Sequence, residues 1–282
     1  MLAAVLTCSY MGVELVAGVL TGSLALLADA GHMLSDFGSL ALALFAVWLA
    51  ERPATPDKSF GYKRAEILAA LANGVTLVAI GIWILIEAYD RIREPPDVTG
   101  GWMLAVALLG LVVNLASTTI LHRARGASLN VEAAYRHVIA DVLGSIGVIV
   151  AAVVIIVTGW AYADPVVGAA IGTLILLGSW SILRDSIRIL LEATPAGIDA
   201  NEVGRSLRAH AGIVDVHDLH IWTITSGFPA LSAHVLVAPG DDCHARRREL
   251  ERILARDFGI DHTTLQVDHA SGEQLHSIQR KR

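Results

Sequence analysis

The chain has 282 residues, 54 % of them hydrophobic and 17 % charged. Soluble domains carry about 25 % charged residues, so this balance excludes a wholly water-soluble protein. A formal net charge of −6, with 21 Lys and Arg against 27 Asp and Glu, gives no basis for a nucleic-acid-binding surface. Cys8 lies in an apolar run and Cys243 in a polar tail, which makes no disulfide framework.

A helix crossing the hydrocarbon core needs about 20 mainly apolar residues. Six segments approach that length: Leu2–Leu20, Leu24–Leu49, Ile67–Ala88, Trp102–Leu121, Val138–Val157 and Val166–Leu183. The first has no basic region before it and no small-residue cleavage site after it, so it reads as a span rather than a leader. Their bulk is Ala, Leu, Val, Ile and Gly, with aromatics only 6 % of the chain, a composition suited to close helix packing.

Lys and Arg in the short loops set the orientation. The connection between spans two and three holds Arg52, Lys58, Lys63 and Arg64, and that between four and five holds Arg123 and Arg125. The opposite side offers Arg91 and Arg93 alone. This bias places both termini in the cytoplasm.

From about Ala196 the composition turns polar, which divides the chain into a membrane domain over residues 1–195 and a cytoplasmic domain over 196–282. The tail reads as a helix over Asp199–His210, a strand over Val214–Thr225, a turn at Ser226–Pro229 and a strand over Ala230–Ala238. A helix over Asp242–Phe258 and a last strand over Thr263–Asp268 follow. This αββαβ order predicts a ferredoxin-like open-faced sandwich, an α+β domain following an α-helical, six-span membrane bundle.

An acidic group near mid-bilayer costs about 2.5–3.5 kcal/mol on insertion scales, so it faces protein or water. Here such groups recur with one spacing. Span two carries His32 and Asp36, and span five carries His137 and Asp141, each pair four residues apart. Residues at i and i+4 share a helix face, about 6 Å apart along the axis. Two helices facing each other through these pairs present two imidazoles and two carboxylates to one point. That donor set suits tetrahedral zinc, whereas calcium or magnesium prefers an oxygen-only shell. The two carboxylates offset the dication's charge. Histidine has an unperturbed pKa of about 6.5, so metal and proton compete for His32 and His137 near neutral pH. Metal bound with proton release on one side, and the reverse on the other, is an antiport.

Three stretches of the membrane part carry a family resemblance. They are Gly-Ser-Leu-Ala-Leu-Leu-Ala-Asp-Ala-Gly-His-Met-Leu-Ser-Asp over 22–36, Phe-Gly-Tyr-Lys-Arg-Ala-Glu-Ile-Leu-Ala-Ala-Leu over 60–71, and Arg136–Asp141. In the tail, Val-His-Asp-Leu-His-Ile-Trp over 216–222, Leu-Ser-Ala-His-Val over 231–235 and His-Thr-Thr-Leu-Gln-Val-Asp over 262–268 do the same. With these motifs the chain resembles the cation diffusion facilitator family, in its zinc-transporting branch, over nearly its whole length.

The resemblance implies a homodimeric metal/proton antiporter that exports metal from the cytoplasm and carries a metallochaperone-like cytoplasmic domain. It maps the transport site onto His32, Asp36, His137 and Asp141. Relatives with Asp at the first position accept more metals, so histidine in both spans favours zinc, with cadmium or cobalt as secondary cargo. Positions matching the family's cytoplasmic metal site are His217, His234 and Asp268. A further family histidine matches Gln266, a poorer ligand, for which His220, His244, His262 or His269 could substitute. The family's loop histidines between spans two and three have no counterpart in Glu51–Glu66, and the loop between four and five has only His122 at its edge. These compact loops point to a bacterial inner membrane.

Weaker signals remain. Glu14, Asp29 and Asn114 lie within spans, as ligand-orienting groups, proton relays or simple interhelix bonds. Gly168 and Gly172 form a small-xxx-small pair. Cys243–His244 is either a ligand pair or the start of the second tail helix. The resemblance implies zinc as cargo and as a candidate ligand of the tail, and no organic cofactor is expected. Two other classes compete with a transporter: a membrane zinc sensor that binds without flux, and a membrane metalloenzyme. The enzyme wants an open coordination position and a general base such as H-E-x-x-H, a motif absent from the chain.

Overall fold

The computed structural model describes residues 2–94, 96–123 and 129–270, the side chains of residues 2–6, 36, 40, 43, 121, 123, 129–137 and 140 excepted. The chain forms two compact units, one of residues 1–44 and 70–183, the other of residues 45–69 and 184–282.

Six helices precede the tail: α1 (Leu2–Thr21), α2 (Leu24–Ala50), α3 (Ala65–Arg93), α4 (Gly100–Arg123), α5 (Leu129–Thr158) and α6 (Ala163–Leu190). Five of them, α2 to α6, are long and apolar enough to cross a membrane, while the described apolar stretch of α1, Thr7–Thr21, is shorter. Several run beyond their apolar cores. Helix α3 extends past the expected 67–88, with Glu66 in its first turn and Arg91 and Arg93 in its last. Those charges complement the helix dipole and keep polar ends helical, which a hydropathy window does not register. Helix α5 likewise starts at Leu129, ahead of the expected Val138.

Small residues set the packing of the first unit. Ala25 and Leu26 of α2 meet Met103 and Ala107 of α4 and Val148, Ala151 and Ala152 of α5 in one buried cluster. Leu24 and Ala28 of α2 join Leu77 and Ile84 of α3 and Ile175 of α6 in a second. A Cβ on Gly81 would sit 3.2 Å from the Gly172 carbonyl oxygen, so α3 and α6 touch through backbone. A Cβ on Gly168 would lie 2.9 Å from Leu24 Cγ. The small-xxx-small pair therefore serves two different contacts within the chain, one to α2 and one to α3.

The tail forms α7 (Ala200–Arg208), β1 (Ile213–Thr225), β2 (Phe228–Val237), α8 (Cys243–Phe258) and β3 (His262–His269). Both helices start on an aspartate cap: Asp199 accepts from the Asn201 N–H, and Asp242 from those of His244 and Ala245. Helix α8 ends at Gly259, whose φ of 65° gives the left-handed cap that glycine adopts without a Cβ penalty. The sheet order is β1-β2-β3, with β1–β2 antiparallel and β2–β3 parallel. A parallel pair needs a crossover, and α8 supplies it.

Alternation along β2 sends Leu231, Ala233, Val235 and Val237 to one face, where they meet Val203 and Leu207 of α7 and Leu250 and Leu254 of α8. Ser232 and His234 belong to the other face. Pro229, expected in the turn, instead lies in β2 opposite Thr223. The hairpin loop is only Ser226–Gly227, closed by Gly227 at φ 70°. The same unit includes the segment between α2 and α3: Thr225 Oγ1 donates to Glu66 Oε2 at 2.7 Å, and Lys63 Nζ lies 4.1 Å above the Phe228 ring.

Candidate metal centres

In the first unit, α2 carries His32 and α5 carries Asp141, and the two line one cavity of about 590 Å³ together with Asp29. Apart from Ser179 its remaining walls are apolar, including Leu77 of α3, Gly144 and Gly147 of α5, and Ile171 and Ile175 of α6. Asp29 and Asp141 are both buried, at 4 % and 3 % exposure. A Cβ on Gly144 would stand 3.2 Å from Asp29 Oδ1, so the bare backbone of α5 is what admits this carboxylate. Asp36 stands on α2 and His137 on α5, but their side chains lie outside the described residues. Among the described residues no group of three or more His, Cys, Asp or Glu is assembled as a metal cage.

Buried polar groups continue away from this cavity. Tyr10 donates to Glu14 Oε1 at 2.9 Å and reaches the Val106 carbonyl at 3.3 Å. Asn114 Nδ2 donates to Ser145 Oγ at 3.2 Å, joining α4 to α5. Ser35 and Asn73 join α2 to α3 at 3.2 Å. Glu14 and Asn114 thus hold neighbouring groups. Tyr10 and Ser145 were not singled out by sequence, although Tyr10 and Glu14 have the i, i+4 spacing of a helix-face pair.

The second constellation lies on the open face of the tail sheet. His217 and His234 are cross-strand partners with ring centroids 5.5 Å apart. A bulge between His217 and His220 puts Asp218 at φ 53°. Its carboxylate is 3.0 Å from His220 Nε2 and 3.8 Å from His234 Nε2. Gln266 is the parallel partner of His234, while Asp268 pairs with Leu236 and accepts from Gln266 Nε2 at 2.8 Å. Asp268 therefore lies two positions along β3 from the Gln266 that faces His234, and the Asp218 carboxylate also comes within 3.8 Å of His234. Asp218 stands in the quoted motif between His217 and His220, but its part is set by the bulge, which sequence periodicity does not reveal.

His262 and His269 are engaged elsewhere. His262 packs against Phe228 and Phe60, with ring centroids at 5.3 and 6.0 Å. His269 lies 3.6 Å from Cys243 Sγ and 2.9 Å from the Asp241 carbonyl. Cys243 opens α8, and His244 follows it in the first turn. Arg64 and Glu192 form an exposed ion pair at 2.8 Å, a kind worth about 0–1 kcal/mol.

A bundle of long apolar helices followed by a small histidine-bearing α+β domain defines a multi-pass membrane protein. Comparison with known proteins agrees. Residues 1–191 match the cation efflux transmembrane domain, and residues 195–270 match the cation efflux protein cytoplasmic domain. The chain is 45 % identical over 267 residues to the cadmium, cobalt and zinc/H(+)-K(+) antiporter of Bacillus subtilis, covering 92 % of this chain and 85 % of that one. It is 42 % identical over 280 residues to the metal cation efflux system protein CzcD of Cupriavidus metallidurans, covering 99 % and 88 %. It is 42 % identical over 265 residues to the zinc transporter ZitB of Escherichia coli, covering 93 % and 84 %. A solved metal-bound C-terminal domain of the CzcD transporter from Cupriavidus metallidurans matches 25 % of this chain and 99 % of its own, at 36 % identity and a TM-score of 0.24. The chain belongs to the cation diffusion facilitator family, whose matched members are named as transporters and antiporters, not enzymes.

Proposed function

We propose that this protein is a secondary active exporter of Zn(II), with cadmium or cobalt as secondary cargo, driven by proton exchange. His32 and Asp36 on α2 and His137 and Asp141 on α5 form a tetrahedral His2Asp2 transport site. The observation that carries the reading is the shared cavity: His32 and Asp141, from helices more than 100 residues apart in sequence, line it together inside a bundle of apolar helices. Supporting it are the relatives' names, which include zinc transport and metal/H(+) exchange. All six helices span the bilayer, the termini and the ferredoxin-like tail face the cytoplasm, the membrane is a bacterial inner membrane, and the active unit is a homodimer.

Zinc binding displaces protons from the two imidazoles because metal and proton seek the same lone pair. Two carboxylates then leave the loaded site formally neutral, which lowers the cost of holding a dication among apolar walls. In the tail, His217 and His234 are the histidine donors, with Asp268 as the carboxylate that the family pattern implies and Asp218 beside them. Imidazole and carboxylate are donors zinc accepts, so the residues present fit such an ion.

The test is metal flux into vesicles of the purified protein with and without an imposed pH gradient. Zinc accumulation driven by the gradient and abolished by its collapse is the expected outcome. Accumulation indifferent to the gradient overturns proton exchange. Zinc binding without accumulation in either condition turns the protein into a sensor.

A further inference from the structure

Three N–H groups at the start of α2 are held by side-chain oxygens, two of them by a residue of another helix. Leu26 N donates to Ser23 Oγ at 3.2 Å and Leu27 N to the Ser23 carbonyl at 3.3 Å. Leu24 N donates to Asp164 Oδ2 at 2.7 Å and Ala25 N to Asp164 Oδ1 at 3.1 Å. The Ser23 hydroxyl donates to the same Oδ1 at 2.6 Å. Asp164, at the start of α6, is fully buried. A helix N-terminus carries about half a positive charge, so this carboxylate caps α2 in trans. Arg91, at the end of α3, holds the same corner. It donates to the Gly22 carbonyl, pairs with Glu87 at 2.9 Å and stands 3.7 Å from Asp164 Oδ2.

At this corner α2 also meets α6. Leu24 lies over Gly168, one turn into α6. Further along, Ile171, Leu174, Ile175, Gly178 and Ser179 of α6 face the cavity lined by His32. Asp29 and His32, further along α2, line that same cavity, so the Ser23 end is the start of the helix that carries both groups to it. His32 is eight residues past Leu24, about 12 Å along the axis.

We propose that Asp164 is a positioning residue for transport, the post that fixes the Ser23 end of α2 and so sets where His32 stands in the cavity. Relative motion of α2 and α6 is then a tilt about this end. The inference rests on the transport-site reading, and His32→Ala separates the two: flux surviving that substitution removes the site itself.

The experiment uses the full chain, reconstituted, with zinc and cadmium flux normalised to folded protein. Asp164→Asn exchanges an acceptor for a donor facing Leu24 and Ala25. It is expected to raise the apparent KM for zinc about tenfold and to change the zinc-to-cadmium ratio, with Asp164→Glu restoring part of both. Spin labels at Leu34 on α2 and Leu177 on α6, both exposed, should show a broadened distance distribution in Asp164→Asn. If that variant fails to assemble, Ser23→Ala removes the hydroxyl alone and should shift KM and selectivity in the same direction. Wild-type KM, selectivity and distances in the folded fraction of either variant overturn the proposal and leave Asp164 with a merely structural role.

Discussion

His217 and His234 face each other across β1 and β2 with ring centroids 5.5 Å apart and planes inclined by 35°. They stand on the face of the sheet opposite the apolar core, so nothing in the fold of the tail requires them to be imidazoles. His234→Ala is expected to weaken zinc binding by the tail about tenfold or more, since one donor of a small set is lost. Zinc flux should persist with a changed apparent affinity. Calorimetric titration of the intact protein beside vesicle flux checks this, and complete loss of flux with normal folding contradicts the division between tail and transport site.

Asp141 is buried and lines the same cavity as His32. Asp141→Ala should bring metal flux to background while leaving assembly intact, because at the proposed transport site the substitution removes a carboxylate donor and leaves a methyl among apolar walls. Size-exclusion chromatography and flux on the same preparation decide it. Wild-type flux in that variant removes Asp141 from the site.

Helices α3 and α6 touch at Gly81 and Gly172, where neither can carry a side chain without displacing its neighbour. A Cβ on Gly172 would lie 2.9 Å from Ile84 Cγ2 and 3.5 Å from the Gly81 carbonyl oxygen. Gly172→Leu is expected to destabilise the bundle by about 1–3 kcal/mol, the usual cost of overpacking. The thermal midpoint of the detergent-solubilised protein is the readout, with Gly159→Leu a poor control because Gly159 has a φ of 70° and Gly178→Ala a good one because its position is open.

Glu249 on α8 accepts hydrogen bonds from His210 at 3.0 Å and Arg246 at 2.7 Å. His210 first, then Arg246, holds its carboxyl below the ordinary glutamate range. A depressed folded-state value contributes stability that is present above the unfolded value and is lost as pH falls through the folded one. The tail of the intact protein should therefore lose protection on acidification below the ordinary carboxylate range, and Glu249→Gln should make that loss shallower. Hydrogen exchange of the β2 amides followed down the pH scale measures both. An identical acid profile in the variant removes Glu249 from the account.

Leu250 is fully buried between α7, α8 and the sheet. Leu250→Ala should destabilise the tail by about 2–5 kcal/mol, read as a lowered denaturant midpoint for exchange of the β2 amides. A change well short of that range would mean that the site collapses around the smaller side chain.

Local spacing made a good part of this molecule legible. Apolar runs marked α2 to α6 because a stretch of about 20 residues through hydrocarbon must be mainly apolar whatever packs beside it. The i, i+4 pairs His32/Asp36 and His137/Asp141 were visible because helical pitch is local, and alternation in 230–238 marked β2 for the same reason. Helix ends were less legible: α3 and α5 continue through polar turns that hydropathy alone does not credit to a helix.

The amino-acid order alone determined that the chain is a membrane bundle with a polar αββαβ tail and a repeated imidazole–carboxylate spacing. Tertiary structure decided which groups meet across long separations. Asp164 caps a helix begun 141 residues earlier at Ser23, Gly144 clears space for Asp29, and a bulge turns Asp218 toward His234. Periodicity is written in neighbours a few residues apart, whereas these contacts depend on where the chain returns, and only packing selects that.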